Sequence, residues 1–396
     1  MSVLGRASSR AGERSRLIAA SALHEIHRIV ESHGPDVIAL HIGEPYLGIP
    51  EPVREAYVKA IRDGHAYYCD APGILSLREA LSERFAATRS VDMPVGRLFV
   101  TPGSCQAIAA VLLSLAVDGG SVLLPEIHWP MHLQQIRMAG LRPRFYRNSD
   151  LETSAADVLD SACEPGTCAV IVNSPSNPAG EVLGPTATRG VHEWARRRGV
   201  HVLSDEAYED FIYQGAPPLF LNLDAALPES ERLVFSVHTF SKSFSMTGYR
   251  LGYVSAPNRE RAELLQRVQE AMLVSPSTPV QFAGLAALRD NEHLRRHREY
   301  VQATRDEVVR LLTAAQMLDT VPNGGWYALV DLSRCPGDAA TACQRLLAEK
   351  GVALAPGYAF ASADHAGSSR LARVALCRER DATLRGIRTL VDWASN

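Results

Sequence analysis

Residues 238–253 read HTFSKSFSMTGYRLGY and directly follow the apolar, strand-like run Leu233–Val237. Lys242 stands in this segment among hydroxyls and small side chains, and Arg250 follows eight positions later. Such a setting suits a lysine that forms a Schiff base with a carbonyl, while the hydroxyls and the arginine hold a phosphate. The alternative is a surface lysine in a serine-rich loop, so the rest of the chain has to supply partners for a bound cofactor.

The composition is that of an ordinary soluble protein. The chain has 396 residues, of which 46% are apolar and 21% charged, enough for one large domain and a smaller one. A net charge of -3 provides no basic field for nucleic acid, and no apolar run predicts a membrane span. The N-terminal segment, with Arg6, Arg10, Arg14 and Arg16, lacks the apolar core of a secretory signal. We expect a loose arm that orders only against the body of the protein or a partner subunit.

The cysteines predict neither a disulfide framework nor a metal site. Their number, seven, is odd, and they do not form paired CxxC motifs. Cys163 and Cys168 are close in sequence, but no neighbouring histidine completes a set of metal ligands. We therefore predict buried thiols in a reducing, cytoplasmic compartment, with no bound metal.

The apolar pattern predicts an α/β fold in two parts. Between residues 97 and 255, short apolar runs alternate with helical stretches, which indicates a mainly parallel sheet flanked by helices. A long helix from Arg289 to Leu312 and further strand and helix signals predict a smaller α/β domain. We assign residues 41–289 to the large domain, and residues 1–40 and 290–396 to the arm and the small domain. The predicted strands of the large sheet are Leu98–Val100, Val122–Leu124, Ala169–Val172, Val200–Leu203, Leu233–Val237 and Leu251–Val254.

Ligands of an open α/β sheet bind outside the carboxyl ends of its strands, and five predicted ends carry unusual residues. After the first, TPGSCQA (101–107) enters a helix, where the amides of Ser104 and Cys105 suit a phosphate. A helix cap by Ser104 is the simpler alternative. After the second, Trp129 suits stacking on a planar ring, although a core role is equally consistent.

The three remaining strand ends carry further residues that suit a bound cofactor. The turn-rich segment NSPSNPAG (173–180) aims Asn177 at the crevice, unless it is simply a loop. Asp205, at the end of a buried strand, needs a partner or a function, and Tyr208 follows three residues later. A helix cap would explain Asp205 but not Tyr208. With Lys242 at the fifth end, this inventory suits a ring nitrogen, a phenolic oxygen, a carbonyl and a phosphate, the groups of pyridoxal 5′-phosphate (PLP).

A family resemblance rests on three motifs that occur in a fixed order along the chain. They are NPAG (177–180), DEAY (205–208) and SKSFSMTGYRLGY (241–253). From about Gly43 to its C-terminus, the chain resembles the class I/II aminotransferases of the PLP fold type I, or aspartate aminotransferase, superfamily. The resemblance implies PLP as cofactor and a ping-pong transfer of an amino group between an L-amino acid and a 2-oxo acid.

The resemblance also implies a role for each matched residue. The implied catalytic residues are Lys242 as the Schiff-base lysine, Asp205 on the pyridine nitrogen and Tyr208 on the ring oxygen. The other implied cofactor contacts are Asn177 on the ring oxygen, Trp129 stacked on the ring, and Arg250, Thr239, Ser104 and Cys105 on the phosphate.

Three more positions extend this comparison to the substrate and to a second subunit. Arg373, with Asn177 and Gly43, would bind the substrate carboxylate end, although Gly43 also suits an ordinary turn. Tyr68 matches a tyrosine that reaches the phosphate of the neighbouring subunit, which implies a homodimer. A core aromatic is the alternative for Tyr68.

Some positions that we expect near the substrate depart from the family pattern, which leaves the substrate and the reaction type open. Cys105 stands where members with acidic substrates often carry lysine, His132 where tyrosine is common, and Ala361 where glycine is usual. The absence of a placed basic residue points to a neutral or apolar substrate side chain. A PLP lyase or cyclase is the main alternative. A non-catalytic regulator or scaffold is another, but such proteins usually lose the lysine or the carboxylate, and both are present here.

Overall fold

A computed structural model describes residues 13–362 and 365–395, so the start of the predicted arm, residues 1–12, lies outside the described residues. Within the described part, the strands form three sheets of seven, three and two strands. The strands are β1 (Ile38–Ala39), β2 (Leu98–Thr101), β3 (Ser121–Pro125), β4 (Arg142–Tyr146), β5 (Thr167–Asn173), β6 (His201–Asp205), β7 (Val234–Thr239), β8 (Gly252–Ser255), β9 (Tyr327–Asp331), β10 (Val352–Ala353), β11 (Ala355–Pro356) and β12 (Leu371–Ala375).

Helices cover both faces of the largest sheet and build most of the C-terminal part. The helices are α1 (Glu13–Arg16), α2 (Ala22–Glu31), α3 (Glu51–Arg62), α4 (Leu75–Arg89), α5 (Gly103–Leu115), α6 (Pro130–Met138), α7 (Leu151–Ala162), α8 (Pro185–Arg198), α9 (Phe220–Ala225), α10 (Phe240–Ser243), α11 (Arg259–Leu273), α12 (Thr278–Leu288), α13 (Asn291–Ala314), α14 (Ala339–Lys350) and α15 (Arg380–Ala394).

The seven-stranded sheet has the order β2-β8-β7-β6-β5-β3-β4. The strands β3 to β7 are parallel, whereas β8 runs antiparallel to both of its neighbours. The predicted α/β class with a mainly parallel sheet is therefore confirmed. One strand was missed, since β4 has only a short apolar run and contains Pro143, which a strand at a sheet edge tolerates.

Both faces of this sheet are buried, as its nearly continuous apolar strands require. Successive residues of β5 enter opposite cores, with Val170 and Val172 on one side and Ala169 and Ile171 on the other. Packing against helices on both faces fixes the register and hence the positions of the strand ends.

A separate hydrophobic cluster surrounds β9 and β12, where α13 and α15 contribute buried aliphatic side chains such as Val308 and Ile387. The sheet of β9, β11 and β12 is antiparallel, and β10 pairs in parallel with β1 of the N-terminal segment. This cluster also includes Ala207, Tyr208 and Phe211, and the division at residues 41–289 stays a prediction.

The described part of the N-terminal arm packs against the body of the chain. Ile26 and Val30 of α2 join a small apolar cluster with Phe360, and the Ala19 amide donates to Gln134 Oε1 at 2.9 Å. Across the described residues, no helix is both long enough and apolar enough to cross a membrane.

The central strand β7 provides a test of this core. Phe235 is fully buried between helices on one face of the sheet. Phe235→Ala should lower the free energy of unfolding by about 3–5 kcal/mol, because it removes buried apolar area and leaves a cavity. Urea unfolding monitored by circular dichroism measures the change. Phe235→Leu retains most of the buried area, so it should lower the free energy of unfolding by less than half as much as Phe235→Ala. Equal decreases for the two variants would contradict the packing described.

Candidate active site

A cavity of about 420 Å³ lies at the carboxyl ends of the parallel strands. The parallel register sets Asn173 of β5 opposite Asp205 of β6, and Asp205 opposite Val237 of β7. Every predicted site residue except Tyr68 lines this cavity. The predicted residues that line it are Gly43, Ser104, Cys105, Trp129, Asn177, Asp205, Tyr208, Thr239, Lys242, Arg250 and Arg373.

Lys242 lies on the short helix α10, which begins directly after β7. Thr239 caps this helix, because its hydroxyl accepts a hydrogen bond from the Ser241 amide. The Lys242 Nζ lies 3.5 Å from the carbonyl oxygen of Gly43 and 4.8 Å from the centre of the Trp326 ring. No described carboxylate forms an ion pair with it, so the amine is available to the cavity.

Asp205 is a buried carboxylate held on both oxygens. Its Oδ1 accepts from the Ala207 amide at 3.2 Å, and its Oδ2 lies 2.9 Å from Nε2 of the fully buried His132. His132 is one of the departures from the family pattern that we placed near the substrate. The structure places it against Asp205 instead, a role that its sequence position after Trp129 did not reveal.

Aromatic residues form the wall beside Lys242. The Tyr208 hydroxyl donates to the Tyr327 hydroxyl at 3.4 Å, and Trp326 packs edge-on against the Tyr208 ring. Burial raises the pKa of Tyr208 well above its usual range, so this residue is a neutral hydrogen-bond donor. Trp326 and Tyr327 were predicted only as part of a strand, because no local signal shows that β9 approaches the cavity.

The start of α5 and the guanidinium of Arg250 form one end of the cavity. Gly103 has a φ of +80°, and a Cβ there would lie 2.5 Å from Arg250 Nη2, so only glycine fits this turn. Arg250 donates to the Thr247 carbonyl at 2.7 Å and to the Ser241 hydroxyl at 3.4 Å, and no described carboxylate pairs with it. Helix N-terminal amides and a cation without an acidic partner together suit an anion.

Cys105, also at the start of α5, is held by a neighbouring amide. The Nε2 of Gln135 donates to the Cys105 carbonyl at 2.7 Å and to its sulfur at 3.2 Å. Burial raises the pKa of the Cys105 thiol, which therefore adds no charge to the cavity at neutral pH.

Arg373 forms the opposite end. Its guanidinium donates to Asn177 Oδ1 at 3.0 Å and to the His41 carbonyl at 2.6 Å, and it lies between the rings of Tyr327 and Phe360. Burial lowers the pKa of Arg373, and no described carboxylate pairs with it. A buried cation without an acidic partner is costly, so this arrangement favours a ligand that brings a carboxylate.

The N-terminal segment closes part of the cavity mouth with Leu23, His24 and His27 of α2, and with His41. The ring nitrogens His27 Nδ1 and His41 Nε2 are 3.1 Å apart. Burial lowers the pKa of His41 to about 4, so its ring is neutral at neutral pH. The sequence did not identify these histidines, because only the pairing of β1 with β10 brings them to the cavity.

Tyr68 is the predicted site residue that lies elsewhere. Its side chain is 84% exposed and does not line the cavity of its own chain. The core alternative for Tyr68 is therefore wrong, whereas its role in a neighbouring subunit stays a prediction.

Comparisons with known proteins identify the class. A family model for aminotransferase class I and II matches residues 35–385. The chain is 30% identical over 372 residues to a probable aspartate/prephenate aminotransferase from Aquifex aeolicus, covering 91% of this chain and 92% of that one. It is 31% identical to a (5-formylfuran-3-yl)methyl phosphate transaminase from Methanocaldococcus jannaschii, covering 84% and 86%.

Comparison with solved structures indicates the same class of protein. A double mutant of Thermus thermophilus aspartate aminotransferase superposes with a TM-score of 0.86 at 28% identity, covering 96% of this chain and 98% of that one. The chain therefore belongs to the aminotransferase class I and II family, and its fold is that of fold type I. It is an aminotransferase, as predicted, and the comparisons do not favour the lyase or cyclase alternative.

Gly43 provides a test of the cavity geometry. A Cβ at this position would overlap the Tyr327 hydroxyl, whereas Gly48 has open space around it. Gly43→Ala should displace Tyr327 from the Arg373 guanidinium and raise the KM for the amino acid by about tenfold, because small displacements at a site are costly. Steady-state kinetics measures this change, with Gly48→Ala as the matched control. Equal KM values for the two variants would contradict the proposed contact.

Proposed function

We propose that the chain binds PLP in this cavity and transfers an amino group between an L-amino acid and a 2-oxo acid. The observation that carries the proposal is the buried, unpaired Arg373 in the same cavity as Lys242 and Asp205. An α-carboxylate is common to both substrates of a transamination, and an arginine binds it bidentately.

The donor set of the cavity fits PLP group by group. Lys242 offers an amine without an acidic partner to the carbonyl, and Asp205 offers a buried carboxylate to the ring nitrogen. At the α5 end, Arg250 and the amides of Ser104 and Cys105 suit the phosphate, together with Thr239. Gly103 leaves room there that any side chain would fill.

When bound, PLP supplies a carbonyl for attachment of the amine and a ring that accepts the electron pair released at the substrate Cα. Nζ of Lys242 would serve as the base that takes the proton from the substrate Cα and as the acid that gives it back. Its surroundings, the Trp326 ring and the Gly43 carbonyl, provide no carboxylate that would hold the amine in its protonated form.

Asp205 would keep a proton on the ring nitrogen of bound PLP. Its two oxygens are fixed by the Ala207 amide and by His132, which leaves the carboxylate a single orientation toward the cavity. Tyr208 and Asn177 line the cavity and would donate to the ring oxygen of bound PLP, and Trp129 would provide a face for the ring. Together these contacts orient the ring, and the neutral state of Tyr208 makes it a donor.

Arg373 orients the substrate. Stacking between Tyr327 and Phe360 fixes the plane of the guanidinium, and the bond to Asn177 fixes its rotation. A rigid, dry cation loses little entropy and needs no further desolvation when it binds a carboxylate.

The substrate side chain should be neutral or apolar. The lysine and arginine residues that line the cavity are Lys242, Arg250 and Arg373, and PLP and the substrate α-carboxylate would engage all three. Cys105 adds no positive charge for a second carboxylate. We also propose that the protein is a homodimer, since Tyr68 is exposed and the family resemblance implies that it reaches the phosphate bound by the neighbouring subunit. We propose a cytoplasmic location for this homodimer.

The first test is the absorption spectrum of the purified protein with PLP during addition of single amino acids, with ammonia assayed in parallel. We expect an amino acid to bleach the cofactor band without release of ammonia, and a 2-oxo acid to restore it. Neutral amino acids should act at lower concentrations than aspartate. Lys242→Ala should lose both the covalent band and turnover, whereas Lys59→Ala, which changes a surface lysine of α3, should retain them. Ammonia release, or turnover by Lys242→Ala, would refute the proposal.

The homodimer has its own test. Tyr68→Ala should weaken PLP binding about tenfold, because it removes a contact to the phosphate of the other subunit. Its exposed neighbour Tyr67→Ala should have a smaller effect. Fluorescence titration of the apoprotein with PLP measures the affinity, and sedimentation measures the assembly state. A monomer that binds PLP with full affinity would contradict the shared site.

A further inference from the structure

A buried ion network lies next to the cavity, and none of its members lines the cavity itself. Helix α4 contributes two arginines to it. Nη2 of Arg89 donates to Glu206 Oε2 at 2.7 Å and to Glu209 Oε2 at 3.0 Å. Nη2 of Arg84 donates to both carboxylate oxygens of Asp210 at 2.8 Å.

Each acidic partner is adjacent or nearly adjacent in sequence to a residue of the proposed active site. Glu206 follows Asp205, and Glu209 and Asp210 follow Tyr208. Ser243 follows Lys242, and its hydroxyl donates to Asp210 Oδ2 at 2.5 Å. Consecutive side chains leave the backbone in different directions, so a contact that holds one residue also holds the backbone of its neighbour.

His238 joins the network through hydrogen bonds at both of its ring nitrogens. Ser236 has a single hydroxyl hydrogen, which it donates to Glu206 Oε1 at 2.9 Å, so its oxygen accepts from His238 Nε2 at 2.7 Å. The other ring nitrogen, Nδ1, lies 2.9 Å from Glu209 Oε1. His238 therefore links Ser236 to Glu209 through its two ring nitrogens.

This arrangement does not require a metal ion. Glu206, Glu209 and His238 lie within 4.8 Å of one another, a spacing that suits metal ligands. Arg89, however, already supplies positive charge to both carboxylates. Burial alone would raise the pKa of Glu209, but His238 and the arginines hold it well below its usual range.

Stability alone does not explain such a network. Buried ion pairs roughly repay their desolvation, and apolar side chains of similar size often serve stability equally well. What the network adds is geometry, because Nη2 of each arginine makes charge-assisted hydrogen bonds to two carboxylate oxygens at once and so fixes their positions. The groups so fixed belong to β6, to the turn after it and to α10.

We propose that Arg84, Asp210 and Ser243 are positioning residues that set the location of Lys242, and that Arg89 and Glu206 do the same for Asp205. The inference rests on the proposed function, since it concerns the approach of Lys242 to a bound carbonyl cofactor. These residues touch neither cofactor nor substrate, and they act through the backbone of their neighbours.

The test uses Ser243→Ala, which removes the hydroxyl but leaves the ion pair between Arg84 and Asp210 intact. We expect covalent attachment of PLP to the apoprotein, followed by absorbance, to slow by about tenfold, because Lys242 loses its fixed approach. The pH midpoint of the cofactor band should shift, and kcat should fall while the KM for the amino acid stays unchanged. Ser82→Ala is the matched control, since Ser82 lies on α4 beside Arg84 but its hydroxyl donates to the Met93 carbonyl outside the network.

A second pair of variants separates positioning from stability. Asp210→Asn should slow PLP attachment, whereas Asp224→Asn should only lower the Tm, because Asp224 binds His192 and two backbone amides away from the network. If Ser243→Ala and Asp210→Asn attach PLP at the wild-type rate with an unchanged pH midpoint, the network is structural only and the inference is wrong. If the wild-type protein attaches no PLP, the proposed function fails first, and this inference fails with it.

Discussion

Parallel pairing of β5, β6 and β7 is the constraint on which the site depends. In-register strands end together, so residues far apart in sequence, such as Asn173, Asp205 and Lys242, meet at one edge of the sheet. Packing on both faces makes that register hard to change, because a shift of one residue would move apolar side chains out of their cores. The cofactor-side geometry of this aminotransferase is thus a consequence of how its central strands are buried.

Charge is distributed in two contrasting ways around these strand ends. In the cavity, the cations Lys242, Arg250 and Arg373 have no acidic partner among the described residues. In the network beside it, every carboxylate is bonded to an arginine or a histidine. Unpaired charge in a cavity favours a ligand of opposite charge, whereas paired charge away from solvent fixes geometry. The same segments, β6 to the following turn and β7 to α10, carry both kinds of group.

Local sequence patterns were sufficient to predict much of the fold and many of the residues that line the cavity. Apolar runs predicted the central strands, and turn-rich segments at their ends predicted Asn177, Asp205 and Lys242 as cavity residues, which the structure places together. Contacts between distant segments were not predictable in this way. We expected His132 near the substrate, but it lies against Asp205. Trp326, Tyr327 and His41 were not predicted as site residues, because the residues beside them in sequence do not indicate which distant residues they contact.

The sequence by itself determined the α/β class, the family and the set of chemical groups, because periodicity and short motifs depend on residues that are close along the chain. Only the tertiary structure decided which of these groups are paired and which are free. Arg89 and Arg373 are both buried arginines, yet one binds Glu206 and the other has no acidic partner among the described residues. That difference arises from long-range packing, which brings α4 to the turn after β6 and encloses Arg373 between Tyr327 and Phe360.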